Sequence, residues 1–181
     1  MKKSLIIVIG LLAIFPKLQA QTEIHKLAFF FKGGYNHTVI SGNETNGGKT
    51  GFVGSTIYGA FGIEKGIAES KFVNTAVLFS WVNDWHFIEI PFHYRQMLNK
   101  QISIFAGPKL DLAADKFDTT KESTSKFLGV SAEIGAQYNF SIHLFAETVY
   151  SIGISRSFND PFFDINSGRR DNLRIGIGYY F

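Results

Sequence analysis

The side chains best suited to chemistry are a few ionisable residues set into otherwise apolar segments. Glu133 and Glu147 would face inward from neighbouring strands, and two carboxylates brought together can act as an acid and base pair. Lys32 and Arg174 would lie close enough to neutralise them. His86 and His93 are seven positions apart on one strand, so they point to opposite faces and cannot share a metal. His25, His37 and His143 are scattered and read as rim or lumen residues rather than ligands. Nothing places a His, a Ser and an acid together as a lipid-cleaving enzyme would require. No catalytic residue, metal site or cofactor is therefore expected.

The elements that must position these groups are strands. In the closing segment Leu173, Ile175, Ile177, Tyr179 and Phe181 alternate with Arg174, Gly176, Gly178 and Tyr180. That is a period of two, with one wholly apolar face. An apolar row backed by a charge and two glycines suits a transmembrane β-barrel with lipid outside and a narrow polar lumen. Turning Arg174 into lipid would cost about 2 to 4 kcal/mol at the bilayer midplane, so the aliphatic row faces out.

The same alternation runs through residues 27–39, 52–63, 72–82, 85–97, 102–113, 128–140 and 142–155. With the last strand this predicts an all-β, closed, antiparallel, up-and-down barrel of about eight strands. Turns are expected at residues 64–70, 83–84, 99–100 and 141, and longer loops at 41–50, 114–126 and 156–171. The three long loops fall at one end and the tightest turns at the other, the asymmetry of outer-membrane barrels. Trp81 and Trp85 flank the 83–84 turn, which would set both indoles near one membrane boundary. Pro91 and Pro108 interrupt two strands, and a closed barrel has no edge where a missing N–H is harmless. A bulge or widened pair is expected near Pro91 and Gly107.

Residues 1–20 have the make-up of a cleaved secretory signal: Lys2 and Lys3, an apolar run from Leu5 to Phe15, then Pro16 and the small Ala20. The run is shorter than the roughly 20 residues of a membrane helix. Cleavage after Ala20 would leave residues 21–181 as a single barrel domain. It would also remove Lys2, Lys3 and Lys17, so the formal charge of +3 falls to zero and nucleic-acid binding loses its support. The absence of cysteine excludes disulfides, zinc-thiolate sites and a lipidated N-terminal Cys. Nineteen phenylalanines fit a lipid-facing surface with aromatic girdles.

Carrying the alternation through each strand turns Lys32, Glu89, Arg95, Lys109, Asp111, Glu133, Glu147 and Arg174 inward, together with His93. Charges in a narrow lumen lose hydration worth several kcal/mol each, so they must pair, and the plainest reading is a salt-bridge plug. Glu89 opposite Lys109 is the most specific pair expected. A one-step shift on the same face would set Glu89 against Asp111, a repulsive arrangement. In the 156–171 loop, Phe158, Phe162 and Phe163 beside Arg169 and Arg170 suggest either a contact surface for protein or anionic headgroups, or a cover folded over the barrel mouth.

Lys32-Gly33-Gly34-Tyr35-Asn36, Ile88-Glu89-Ile90-Pro91 with Tyr94-Arg95, Ala106-Gly107-Pro108 and the terminal Gly178-Tyr179-Tyr180-Phe181 occur in that order. In these the chain resembles the PorT-like family of small outer-membrane β-barrels of Gram-negative bacteria. The resemblance implies a barrel without assigned chemistry, some members taking part in secretion or assembly at the outer membrane. The expected location is the outer membrane. Expected partners are outer-membrane lipids, the insertion machinery during assembly, and secretion or envelope proteins met through exposed loops. A soluble periplasmic barrel holding a small apolar ligand, or an outer-membrane lipid hydrolase, are the competing readings.

Overall fold

The computed structural model describes residues 27–44, 46–82, 85–114, 126–156, 158–160 and 164–181. The proposed signal, residues 1–20, lies outside them, as do Phe162 and Phe163. The strands are β1 (Leu27–Asn43), β2 (Lys49–Ala68), β3 (Lys71–Val82), β4 (Trp85–Met97), β5 (Ile102–Ala114), β6 (Lys126–Asn139), β7 (Leu144–Gly153), β8 (Phe158–Asp160) and β9 (Ile165–Tyr180). Each pairs antiparallel with the next from β1 to β7, β7 pairs with β9, and β9 pairs with β1. Eight strands thus close into a ring, and the three-residue β8 pairs with the start of β9.

Closure follows from the period-two pattern, because every backbone group in a bilayer needs a partner and only a ring leaves no edge. The outward row is mostly apolar on the strands of the ring. Phe29, Phe31, Ile57, Phe79, Phe92, Ile134, Ile175 and Ile177 are all exposed, the last at 63%. Short turns hold the end nearest the chain termini. Asn99 Oδ1 accepts from the N–H of both Gln101 and Ile102 at 2.8 Å, and Ser141 Oγ accepts from the N–H of Leu144 at 3.0 Å. These are side-chain surrogates for turn hydrogen bonds.

Three strands are longer than the alternation predicts. The β1–β2 hairpin reaches its tip at residues 44–48, where Gly47 adopts φ +90°, a left-handed conformation that glycine adopts without a Cβ clash. A tilted strand crosses a bilayer in about 9 to 11 residues, whereas β1 has 17, β2 has 20 and β9 has 16. These three must project beyond the apolar belt on the long-loop side. The 156–171 loop is therefore shorter than expected: residues 165–171 are strand, and Arg170 is a lumen residue, 2% exposed.

The prolines break the ladder without shifting its register. Between β4 and β5 the pairing runs to Pro91↔Lys109 and resumes at Tyr94↔Ala106, leaving Phe92 and His93 unpaired with Pro108 and Gly107. Between β3 and β4 it is interrupted at residues 76–77 and 90–91. The distortion is an interrupted ladder and not a bulge, since the register is the same on both sides of the gap. The Thr75 hydroxyl donates to the Pro91 carbonyl at 2.9 Å, recovering one bond at the break. Gly107 is required there, since a Cβ would overlap the Phe92 carbonyl oxygen. Gly107→Ala is expected to lower barrel stability by about 1 to 3 kcal/mol, read as a lower temperature for the folded-to-unfolded shift in gel mobility. Gly59→Ala, where a Cβ meets nothing within 4 Å, should leave that temperature within about 2 °C of the unsubstituted protein.

Candidate functional site

The lumen is filled in layers. At the tight-turn end Arg95 donates through Nε to Glu64 Oε2 at 2.8 Å and through Nη2 to Glu64 Oε1, a bidentate pair, with the Tyr180 hydroxyl on Oε2 at 3.3 Å. Above it sits an apolar layer of Phe30, Tyr58, Ala60, Ala76, Leu78 and Phe145. Inward glycines make room for its rings. Gly178 and Gly62 leave the volume that Phe145 and Phe30 occupy. Lys32 Nζ lies 2.8 Å from Glu147 Oε1, which also accepts from the Tyr58 hydroxyl at 3.1 Å.

The central layer is ionic. Lys109 Nζ stands 2.6 Å from Glu89, 3.0 Å from Asp111 and 3.5 Å from Glu133. Arg174 bridges Glu89, at 2.7 Å, to Glu133. Arg170 bridges Glu89, at 2.9 Å, to Asp111, at 3.1 Å, and its guanidinium lies 3.7 Å from the Phe87 ring centroid. His93 Nε2 is 2.8 Å from Glu133 Oε2. Ser80 and Ser131 hydroxyls donate to Glu89 and Asp111. Ile40, Val82, Trp85, Phe87 and Ile165 form a second apolar layer toward the long-loop end.

All eight lumen charges expected from the alternation are buried, but their pairing differs from expectation in two places. The expected Glu89–Lys109 ion pair forms at 2.6 Å, but the β4–β5 register sets Glu89 directly opposite Asp111 and Lys109 opposite Pro91. The arrangement that looked repulsive is the one adopted. It holds because Lys109 and Arg170 each contact both carboxylates. Glu133 and Glu147 do not form an acid and base pair, since Glu133 opposes Ser151 and Glu147 opposes Gln137. Glu147 pairs with Lys32, and Glu133 shares Arg174 and Lys109 with Glu89. Trp81 faces outward at 43% exposure, whereas Trp85 is buried in the lumen, so only one indole of the two lies on the lipid side.

Two network members were not anticipated. Glu64, expected in a turn, continues β2 two residues beyond Gly62 on the inward face, and Arg170 stands four residues before Arg174 on the inward face of β9. Extending the parity of β2 by one step beyond Gly62 and of β9 by two steps before Arg174 would have found both. Arg170 is thereby removed from the expected contact surface. Arg169, beside it, is partly exposed and pairs with Asp171 at 3.1 Å. Phe158 falls in β8. Among the described residues no group of three or more His, Cys, Asp or Glu side chains is arranged to hold a metal ion.

A closed eight-stranded ring, apolar outside and ionic within, is the fold of a small outer-membrane β-barrel. Solved structures agree with this at the level of architecture. Ail, the attachment invasion locus protein of Yersinia pestis, in complex with the heparin analogue sucrose octasulfate, superposes with a TM-score of 0.55 at 12% identity, over 86% of this chain and 99% of Ail. Neisserial surface protein A gives 0.54 at 12% identity, over 86% and 99%. No protein-family model and no curated protein sequence matches the chain. The location that this fold implies is the outer membrane.

Removing one member of the ionic layer strands its partners in a dry interior, which costs about 3 to 5 kcal/mol for a buried pair. Arg174→Met, which leaves Glu89 and Glu133 short of a cation, should destabilise the folded barrel by that amount in urea titrations in detergent micelles. The double variant Arg174→Met, Glu133→Gln, which leaves Lys109 and Arg170 against Glu89 and Asp111, should recover part of the loss.

Proposed function

We propose that this chain is a non-enzymatic integral outer-membrane barrel of PorT-like type. It acts as a scaffold or accessory factor in envelope assembly or protein secretion through the parts that rise above the membrane. One observation carries this reading: the ionic layer and the two apolar layers that flank it close the lumen, while β1, β2 and β9 extend beyond the belt on the long-loop side. A closed lumen offers no route for a solute and no mouth for a substrate, so the surfaces left to act are rims and projecting strands. The apolar row around the ring also disfavours a soluble periplasmic barrel, which would have to leave Ile177 and its neighbours in water.

Outer-membrane lipids surround such a barrel, the insertion machinery delivers it, and secretion or envelope proteins meet its projecting strands. Two measurements test the reading. The purified protein in planar bilayers should give no steady single-channel conductance, and a stable open channel would overturn the closed-lumen premise. Replacing residues 43–49 by a two-residue turn should leave heat-dependent gel mobility unchanged yet reproduce the envelope or secretion defect of a strain lacking the protein. Full complementation by the trimmed barrel would remove the projecting hairpin from the account.

A further inference from the structure

The wall of the barrel carries a concavity of about 600 Å³ on its outer surface, across β2 to β5 where the proline-broken ladder lies. Its lining includes Thr75, Phe92, Tyr94, Ala106 and Pro108. Its origin is local. Thr75, Ala106 and Pro108 are short residues flanked on the outward rows of β3 and β5 by Val73, Val77, Ile104 and Leu110. A depression of this size falls in the range of small-molecule sites, and its surface is almost wholly apolar.

The groove starts at the tight-turn rim, where Leu27 and Lys65 line it, and ends at Pro108, six residues into β5. Six residues of a strand tilted by about 40° rise roughly 15 Å, about half the thickness of the hydrocarbon core. Lys65 and a second exposed lysine, Lys71, interrupt the apolar outward rows of β2 and β3 at that rim. Short turns mark this rim as periplasmic. The geometry points to a site for one anionic glycerophospholipid of the periplasmic leaflet, an acyl chain lying in the groove and the phosphate held by Lys65 and Lys71. One leaflet of depth, an apolar trough and cations at headgroup level are the three features such a lipid requires.

The inference rests on the outer-membrane reading but not on the scaffold role, so loss of lipid binding and loss of hairpin function are separable outcomes. Native mass spectrometry of the delipidated full barrel, titrated with phosphatidylglycerol and with phosphatidylcholine, tests it. A single retained phosphatidylglycerol is expected, with a preference over phosphatidylcholine of roughly 30-fold from two lysines. Lys65→Glu with Lys71→Glu should abolish the preference. Ala106→Trp, which fills the trough from the lipid side, should reduce retention of both lipids, with heat-dependent gel mobility confirming a closed barrel in each variant. Equal retention by Ala106→Trp, no stoichiometric adduct in the unsubstituted protein, or a dimer that Ala106→Trp dissolves would each overturn the site.

Discussion

Charge removed from water has to be answered by charge, and that requirement organises this molecule from the inside. Lys32, Arg95, Lys109, Arg170 and Arg174 face Glu64, Glu89, Asp111, Glu133 and Glu147 across a lumen too narrow to hydrate them. Such a set is stable only when its members are held in place together, because each ion pair recovers its desolvation cost only with good geometry and additional hydrogen bonds. The serines beside Glu89 and Asp111 and the tyrosine hydroxyls on Glu64 and Glu147 supply those bonds. Lipid outside enforces the complementary rule, that no strand may turn its ionised row outward.

These two rules made much of the fold legible. Lipid and lumen leave opposite marks on alternate residues, so the faces of β1 and β9 could be read directly from Leu27, Phe29 and Phe31 against Phe30 and Lys32, and from Ile175 and Ile177 against Arg174. Strand ends and register were not legible in the same way. Residues 165–171 are polar in composition, yet they are strand, because pairing with β1 at Ile40↔Arg170 and Ser41↔Arg169 supplies the order that composition does not. Register across β4 and β5 depended on an arrangement of four charges. Judged pairwise, Glu89 against Asp111 looked unfavourable, and only the cations reaching in from β5 and β9 reverse that judgement.

The wall shows what happens where local chemistry conflicts with closure. Pro91 and Pro108 withhold donors from a sheet with no free edge, and the fold accommodates this by interrupting the ladder over two residues without altering register. Gly107 and the Thr75 hydroxyl are the local compensations. The shallow trough on the lipid side occurs in the same stretch, so one sequence feature shapes both the inner pairing and the outer surface.

Arg174 belongs to the final strand, yet its guanidinium bridges Glu89 of β4 and Glu133 of β6, and the same strand supplies the seam with β1. The middle of the polypeptide therefore has two carboxylates that share Lys109 with Asp111 and gain their guanidinium partner only from the strand that zips the cylinder shut. Contacts this distant in sequence form slowly, after a large loop has been closed. A partly inserted sheet would hold three carboxylates against the single Lys109 ammonium, which favours assembly in one concerted passage over strand-by-strand entry.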